Sequence, residues 1–133
     1  MYFLIYVYFT EENYITSCID VQTYTNRWGH EMSWSIKGAK TNISCTNSQE
    51  YANDGCYNEK CCLPTIDDEF IITCYDAFGD GWRNEYLAIN GRPVCGNFKG
   101  YNFTIMIQNP IKKECAAGRK TFNIQQKNLN EKK

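Results

Sequence analysis

Apolar and polar residues alternate along most of this chain with a period of two, the spacing of a β-strand and not of a helix. From Tyr14 to Thr25, one face carries Ile15, Ser17, Ile19, Val21 and Thr23, and the other carries Tyr14, Thr16, Cys18, Asp20 and Gln22, which predicts a long strand. Asn26 to His30 reads as a turn around Gly29. Glu31 to Lys37 is a second strand, with Met32, Trp34 and Ile36 inward and Glu31, Ser33, Ser35 and Lys37 outward. Ser48 to Thr65 reads as irregular and cysteine-rich, with Asn53-Asp54-Gly55 as a turn signal. Phe70 to Tyr75 and Tyr86 to Ile89 are further strands. Asn90-Gly91 is a strong hairpin signal that returns the chain through Pro93 to Phe98. From Tyr101 to Gln108, residues Tyr101, Phe103, Ile105 and Ile107 form an apolar face against Asn102, Thr104, Met106 and Gln108. Thr121 to Gln126 reads as a last strand, with Phe122 and Ile124 inward, before a polar tail. No amphipathic helix, internal repeat or low-complexity stretch interrupts the pattern. The expected architecture is all-β: one β-sandwich or jelly roll of about eight short strands separated by turns.

Residues 1–9 read MYFLIYVYF and carry no charge. A secretory signal peptide needs a basic leader and small residues at a cleavage site. Here the first basic residue is Arg27, and Glu11 and Glu12 follow the apolar run directly, so a secreted form is expected to have more sequence upstream. A membrane-spanning helix needs about 20 apolar residues. The segment therefore reads as a strand with two faces: Met1, Phe3, Ile5, Val7 and Phe9 on one, Tyr2, Leu4, Tyr6 and Tyr8 on the other. Burying one such large side chain is worth roughly 1.5–3 kcal/mol, so the strand must pack somewhere. It is either the first strand of its own sandwich or a donor strand given to a neighbouring subunit. In the second case Tyr2, Phe3, Ile5, Tyr6, Val7, Tyr8 and Phe9 are the assembly residues. The expected division is an N-terminal strand at 1–12, a sandwich domain at 13–126 and a polar tail at 127–133.

Composition narrows the setting. The chain has 133 residues, eight cysteines and one histidine. Cys18, Cys45, Cys56, Cys61, Cys62, Cys74, Cys95 and Cys115 form no Cys-x-x-Cys pair, which disfavours a zinc site. An even number of cysteines in a short chain reads as a disulfide framework and points to an oxidising, extracellular compartment. Cys61 and Cys62 are neighbours and face opposite ways in an extended chain, so they serve different partners. The hairpin at Asn90-Gly91 brings Cys95 toward Cys74. Asn42-Ile43-Ser44 and Asn102-Phe103-Thr104 are acceptor sequons for N-linked glycans on Asn42 and Asn102, and the predicted face of Asn102 is the solvent side. Net charge is -1 and the basic residues are scattered, which argues against a nucleic-acid partner.

Phe70 to Cys95 reads FIITCYDAFGDGWRNEYLAINGRPVC. Within it, Asp76-Ala77-Phe78-Gly79-Asp80-Gly81-Trp82 resembles the Asp-x-x-Gly-Asp-Gly-Trp signature of secreted β-sandwich domains of protists and bacteria, somewhat like the CUB domains of animals. Trp28 to Ile36 is similar to the strand these domains carry before their cysteine cluster. The likeness covers roughly residues 27–108, but Arg83 and Asn84 stand where the signature has another Gly. It implies an extracellular, disulfide-stabilised sandwich used in adhesion, surface layers or filaments. On physical grounds, Asp76 and Asp80 put two hard oxygen ligands on a glycine-rich turn, which with Glu31 can hold Ca²⁺. The competing role is structural, with both Asp side chains capping backbone N–H groups and Trp82 as core packing.

Catalytic chemistry is poorly represented. His30 is the lone histidine and sits in a turn beside Trp28. Asp67-Asp68-Glu69 reads as a solvated loop, and no phosphate-cradling loop is present. The expected function is a glycosylated, non-enzymatic extracellular subunit of a homo-oligomeric helical fibril or surface assembly, joined through its N-terminal strand, with no required cofactor and no membrane span. The alternative is a Ca²⁺-dependent carbohydrate-binding or adhesion module, with Trp82 or Tyr75 stacked on a sugar.

Overall fold

The computed structural model describes residues 13–111. Within them the alternation resolves into eight strands: β1 (Thr16–Tyr24), β2 (Met32–Gly38), β3 (Ser44–Thr46), β4 (Cys56–Pro64), β5 (Glu69–Asp76), β6 (Tyr86–Ile89), β7 (Arg92–Gly96) and β8 (Asn102–Gln108). A single 3₁₀ turn at Gly29–Glu31 is the one helical piece among the described residues, and no helix among them is long and apolar enough to cross a membrane. The strands form two sheets, β4-β1-β6-β7 and β3-β2-β5-β8, with antiparallel pairing throughout. The expected strands at 1–9 and 121–126, the tail, and Cys115 lie outside the described residues.

The inward faces follow the predicted periodicity. Ile19 and Val21 of β1, Leu63 of β4 and Leu87 of β6 bury against Trp34 and Ile36 of β2 and Phe70 and Ile72 of β5. This is the interleaved core of a two-sheet sandwich. Cys61 and Cys62 do serve different partners. Cys62 faces outward and bridges Cys18, its direct cross-strand neighbour. Cys61 faces inward and bridges Cys45 on β3, joining the two sheets at one side. Cys74 pairs with Cys95, as expected, and joins them again through β5 and β7. Cys56 is exposed and unpaired among the described residues.

Two expectations are corrected. The cysteine-rich stretch is not irregular throughout, because β4 pairs with β1 over its full nine residues. Its alternation is masked by Glu59, a charged residue in the inward row of Tyr57, Cys61 and Leu63. Glu59 is accommodated because the hydroxyl of Tyr51 donates to its Oε1 and Ser48 donates to its Oε2 through N–H (2.8 Å) and Oγ (2.6 Å). Asp67 is likewise not a solvated loop residue. It is fully buried and accepts the N–H of Lys40 (2.8 Å), the N–H of Thr41 (3.0 Å) and the Thr41 hydroxyl (2.6 Å). Burial alone would raise its pKa, but these donors outweigh it and hold the carboxyl below its ordinary value.

Candidate metal centre

The Gly-Asp-Gly-Trp turn lies at the end of the sandwich where β5 stops and β2 begins. Met32 pairs with Asp76, so Glu31, one residue earlier, is delivered to the same end. The Ala77 N–H donates to the Glu31 carbonyl at 2.9 Å and the Asp76 N–H to the Tyr101 carbonyl at 2.7 Å, tying the turn to both neighbouring strands. Gly79 and Gly81 both have positive φ, at 92° and 86°, which only glycine adopts without strain. Their N–H groups donate to Asp76 Oδ2 at 2.8 and 2.7 Å. Asp76 therefore caps the turn, as the structural alternative anticipated.

Capping does not account for the rest of the cluster. Carboxylate oxygens of Glu31, Asp76 and Asp80 lie within 4.8 Å of one another. Asp76 is buried, Glu31 half-buried and Asp80 exposed, so the group opens to solvent on one side. Burial, then the negative charges of Asp76 and Asp80, push the Glu31 carboxyl above its ordinary pKa, with His30 acting weakly against them. The His30 ring stands 3.7 Å from Glu31 and is itself exposed.

A fourth carboxylate, which the sequence pattern did not single out, borders this group. Glu85 is only 4% exposed, and its Oε2 is the one buried side-chain polar atom without a hydrogen-bond partner among the described residues. Burial raises its pKa, and the charges of Asp76 and Glu31 raise it further, while N–H groups of Arg83 and Asn26 work in the other direction. A buried carboxylate oxygen without a donor is costly. A hard divalent cation among the oxygens of Glu31, Asp76 and Asp80 would relieve their mutual repulsion and offset the charge of Glu85 nearby, and this donor set fits Ca²⁺, which takes carboxylate and carbonyl oxygens in flexible geometry. No spacing in the sequence marks Glu85, which reads there as an acid at the entry to β6.

Trp82 is buried, at 1% exposure, beneath the turn. Its Nε1 donates to the Tyr75 carbonyl at 3.1 Å, and its ring packs on Phe98 with centroids 5.2 Å apart. It cannot stack on a sugar. Trp28 is the exposed tryptophan here, and it lines a cleft of about 240 Å³ with Arg27, Asp80, Arg83 and Glu85. Asn42 and Asn102 are both exposed, Asn42 in a turn and Asn102 at the head of β8. Compared with protein families, with curated proteins and with solved structures, the chain finds no match in any of the three.

Proposed function

We propose that this chain is an extracellular structural module, a disulfide-braced β-sandwich that binds Ca²⁺ at its acidic turn and works by contact with other macromolecules, not by catalysis. The observation that carries the cation site is the convergence of carboxylate oxygens of Glu31, Asp76 and Asp80 within 4.8 Å of one another, with the buried Glu85 Oε2, which lacks a donor among the described residues, as a further acid whose charge an ion there would offset. Glu31, Asp76 and Asp80 would hold the ion, which would supply positive charge to a group of acids that otherwise repel one another. Glu85 would complete its neutralisation from the buried side. The ion would thereby fix the turn that joins the ends of β2 and β5. Three disulfides fit an oxidising compartment, and the exposure of Asn42 and Asn102 fits glycan attachment there.

The burial of Trp82 removes one of the two rings that a lectin site on this turn could use and leaves only Tyr75, 41% exposed, so subunit assembly is favoured over sugar binding. The test is isothermal titration of the full, non-reduced chain with CaCl₂. Binding in the roughly 0.1–1 mM range of extracellular modules is expected. Absence of heat and of any thermal shift at several millimolar Ca²⁺ would overturn the cation site.

A further inference from the structure

The two sides of the sandwich are finished differently. On one side β3 is only three residues long, and the Cys45–Cys61 bridge ties it to β4. The edge strand β4 carries Glu59 and Lys60. On the other side β7 carries Arg92 and Pro93, and its pairing with β6 is broken by a bulge at Val94. Short length, charge, proline and bulges are the usual ways of protecting an edge from unwanted strand pairing. The fourth edge, β8, has none of them. It is seven residues long, reads NFTIMIQ, contains no charge and no proline, and among the described residues pairs on one side only, with β5.

The inner face of β8 is also left partly uncovered. Its residues Phe103, Ile105 and Ile107 stand opposite Cys74, Ile72 and Phe70 of β5, all fully buried. Yet Phe103 is 37% exposed, and Ile105 and Ile107 are half-buried. Between β8 and β7 a cleft of about 410 Å³ opens, lined by Tyr86, Pro93, Val94, Cys95 and Phe103. The apolar row that should close this side of the core ends one strand early.

The segment Met1–Phe9 has the length and the pattern of such a strand, and the geometry of the chain says which copy can supply it. β1 begins at Thr16, paired with Pro64, and β8 ends at Gln108, paired with Glu69. The Asn109 N–H bonds the Asp68 carbonyl, and the Thr65 N–H bonds the Ile15 carbonyl. The start of β1 and the end of β8 therefore lie at the same end of the sandwich. Laid along β8 from that end, the chain's own segment would run parallel to β8, whereas every strand pair among the described residues is antiparallel. To run antiparallel, the link from Phe9 to Ile15 would have to cover the ~20 Å length of β8, the ~10 Å between sheets and the ~14 Å across the sheet from the side of β1 to beyond β8, a straight line of about 26 Å that exceeds its ~21 Å full stretch. A second copy has no such tether.

We propose that β8 is an acceptor edge, to which Met1–Phe9 of a second copy of this chain adds as an antiparallel strand. This rests on the assembly role proposed above. Phe3, Ile5 and Val7 extend the inner row of Phe103, Ile105 and Ile107, and the tyrosine face lies outward beside Thr104 and Met106. The donor site and the acceptor site are different surfaces of one chain, so the contact is head-to-tail and repeats into a filament unless it closes.

The test uses the full chain with p-benzoylphenylalanine replacing Phe3, mixed from ¹⁴N and ¹⁵N preparations, irradiated, and mapped by mass spectrometry. Cross-links between isotopically distinct chains that fall on residues 102–108 or on Val94 are expected. Cross-links within one chain, or onto any other strand, overturn the proposal. A second variant, Met106→Lys, places a charge on the exposed outer face of β8. It should require about tenfold more protein to reach half-assembly by sedimentation, with the thermal unfolding of the unassembled chain unchanged. Assembly that persists in Met106→Lys, with cross-links elsewhere, retains the assembly role and removes β8 from it. Absence of assembly in the unsubstituted chain at every concentration removes both.

Discussion

Asp76 accepts the Gly81 N–H at 2.7 Å, and the space that a side chain on Gly81 would need is occupied by the Phe98 carbonyl and Lys99 backbone. The turn is thus closed from both sides, by a carboxylate within it and by the β7–β8 connection against it. The Trp82 N–H adds a third tie to the Phe98 carbonyl, at 3.0 Å. Gly81→Ala should destabilise the fold by about 3 kcal/mol, since positive φ and backbone overlap act together. Urea unfolding of the non-reduced protein reads this directly. A loss below ~1 kcal/mol would show that the turn relaxes away from Phe98 at little cost.

The two roles of Asp76 can be separated. Asp76→Asn keeps an oxygen to accept the N–H groups of Gly79 and Gly81 but removes the charge facing Glu31 and Asp80. Stability in chelator should stay within about 1 kcal/mol of the parent. Ca²⁺ affinity should fall by at least roughly tenfold, since a charged ligand of a hard cation is lost. A Ca²⁺ affinity unchanged in Asp76→Asn would assign Asp76 to capping alone.

The acids of the turn also set a pH dependence, and its sign depends on the ion. Glu31 and Glu85 are both raised by burial and by neighbouring carboxylates. A carboxyl with a raised folded-state pKa binds its proton more tightly in the folded chain. In chelator these two groups should therefore stabilise the fold as pH falls through their raised pKa values toward the ordinary carboxyl value, and that gain is lost again as pH rises through the raised values. Asp67 works in the opposite sense: its depressed pKa gives stability that is present above the unfolded-state value and lost as pH falls through the folded one. With Ca²⁺ present the first contribution should reverse, because protons and the ion compete for the same oxygens. Thermal melts across pH 4–8 in chelator and in Ca²⁺ should give curves that diverge as pH rises; parallel curves would detach Glu31 and Glu85 from the cation.

Much of the architecture was legible in the alternation. Trp34 and Ile36, the β6–β7 hairpin and the Cys74–Cys95 bridge follow from period and turn chemistry alone, because a half-buried strand must alternate and Asn90-Gly91 supplies positive φ at both turn positions. The places where pattern failed are those where a charged residue turns inward, half-buried at Glu59 and fully buried at Asp67, for a reason outside its own strand or turn. Glu59 sits in an inward row because Tyr51 and Ser48 cover it, and Asp67 is buried because the turn at Lys40 and Thr41 wraps it. The candidate site was half visible. Asp76, Asp80 and Glu31 stand out beside a glycine-rich turn, whereas Glu85 looks like an ordinary surface acid until the sandwich folds around it.

The same long-range logic gives the last prediction. The Tyr51 hydroxyl donates to Glu59 and accepts from Trp34 Nε1 at 2.7 Å, with Thr23 Oγ1 at 3.1 Å, all under a ring that is 2% exposed. Burial, and next the bond to Glu59, push the phenol well above its ordinary pKa, so it remains a donor throughout the accessible pH range. This one oxygen joins β1, β2 and β4 to the cysteine-rich loop. Tyr51→Phe should cost about 2–4 kcal/mol, because it strands the Trp34 N–H and one oxygen of Glu59 together. Glu59→Gln should cost less, since an amide oxygen still accepts from Tyr51. The double variant should lose less than the sum of the two, because both remove the same bond. Urea midpoints at unchanged m-value, followed by tryptophan fluorescence, measure all three; strict additivity would mean that Tyr51 and Glu59 stabilise the loop independently.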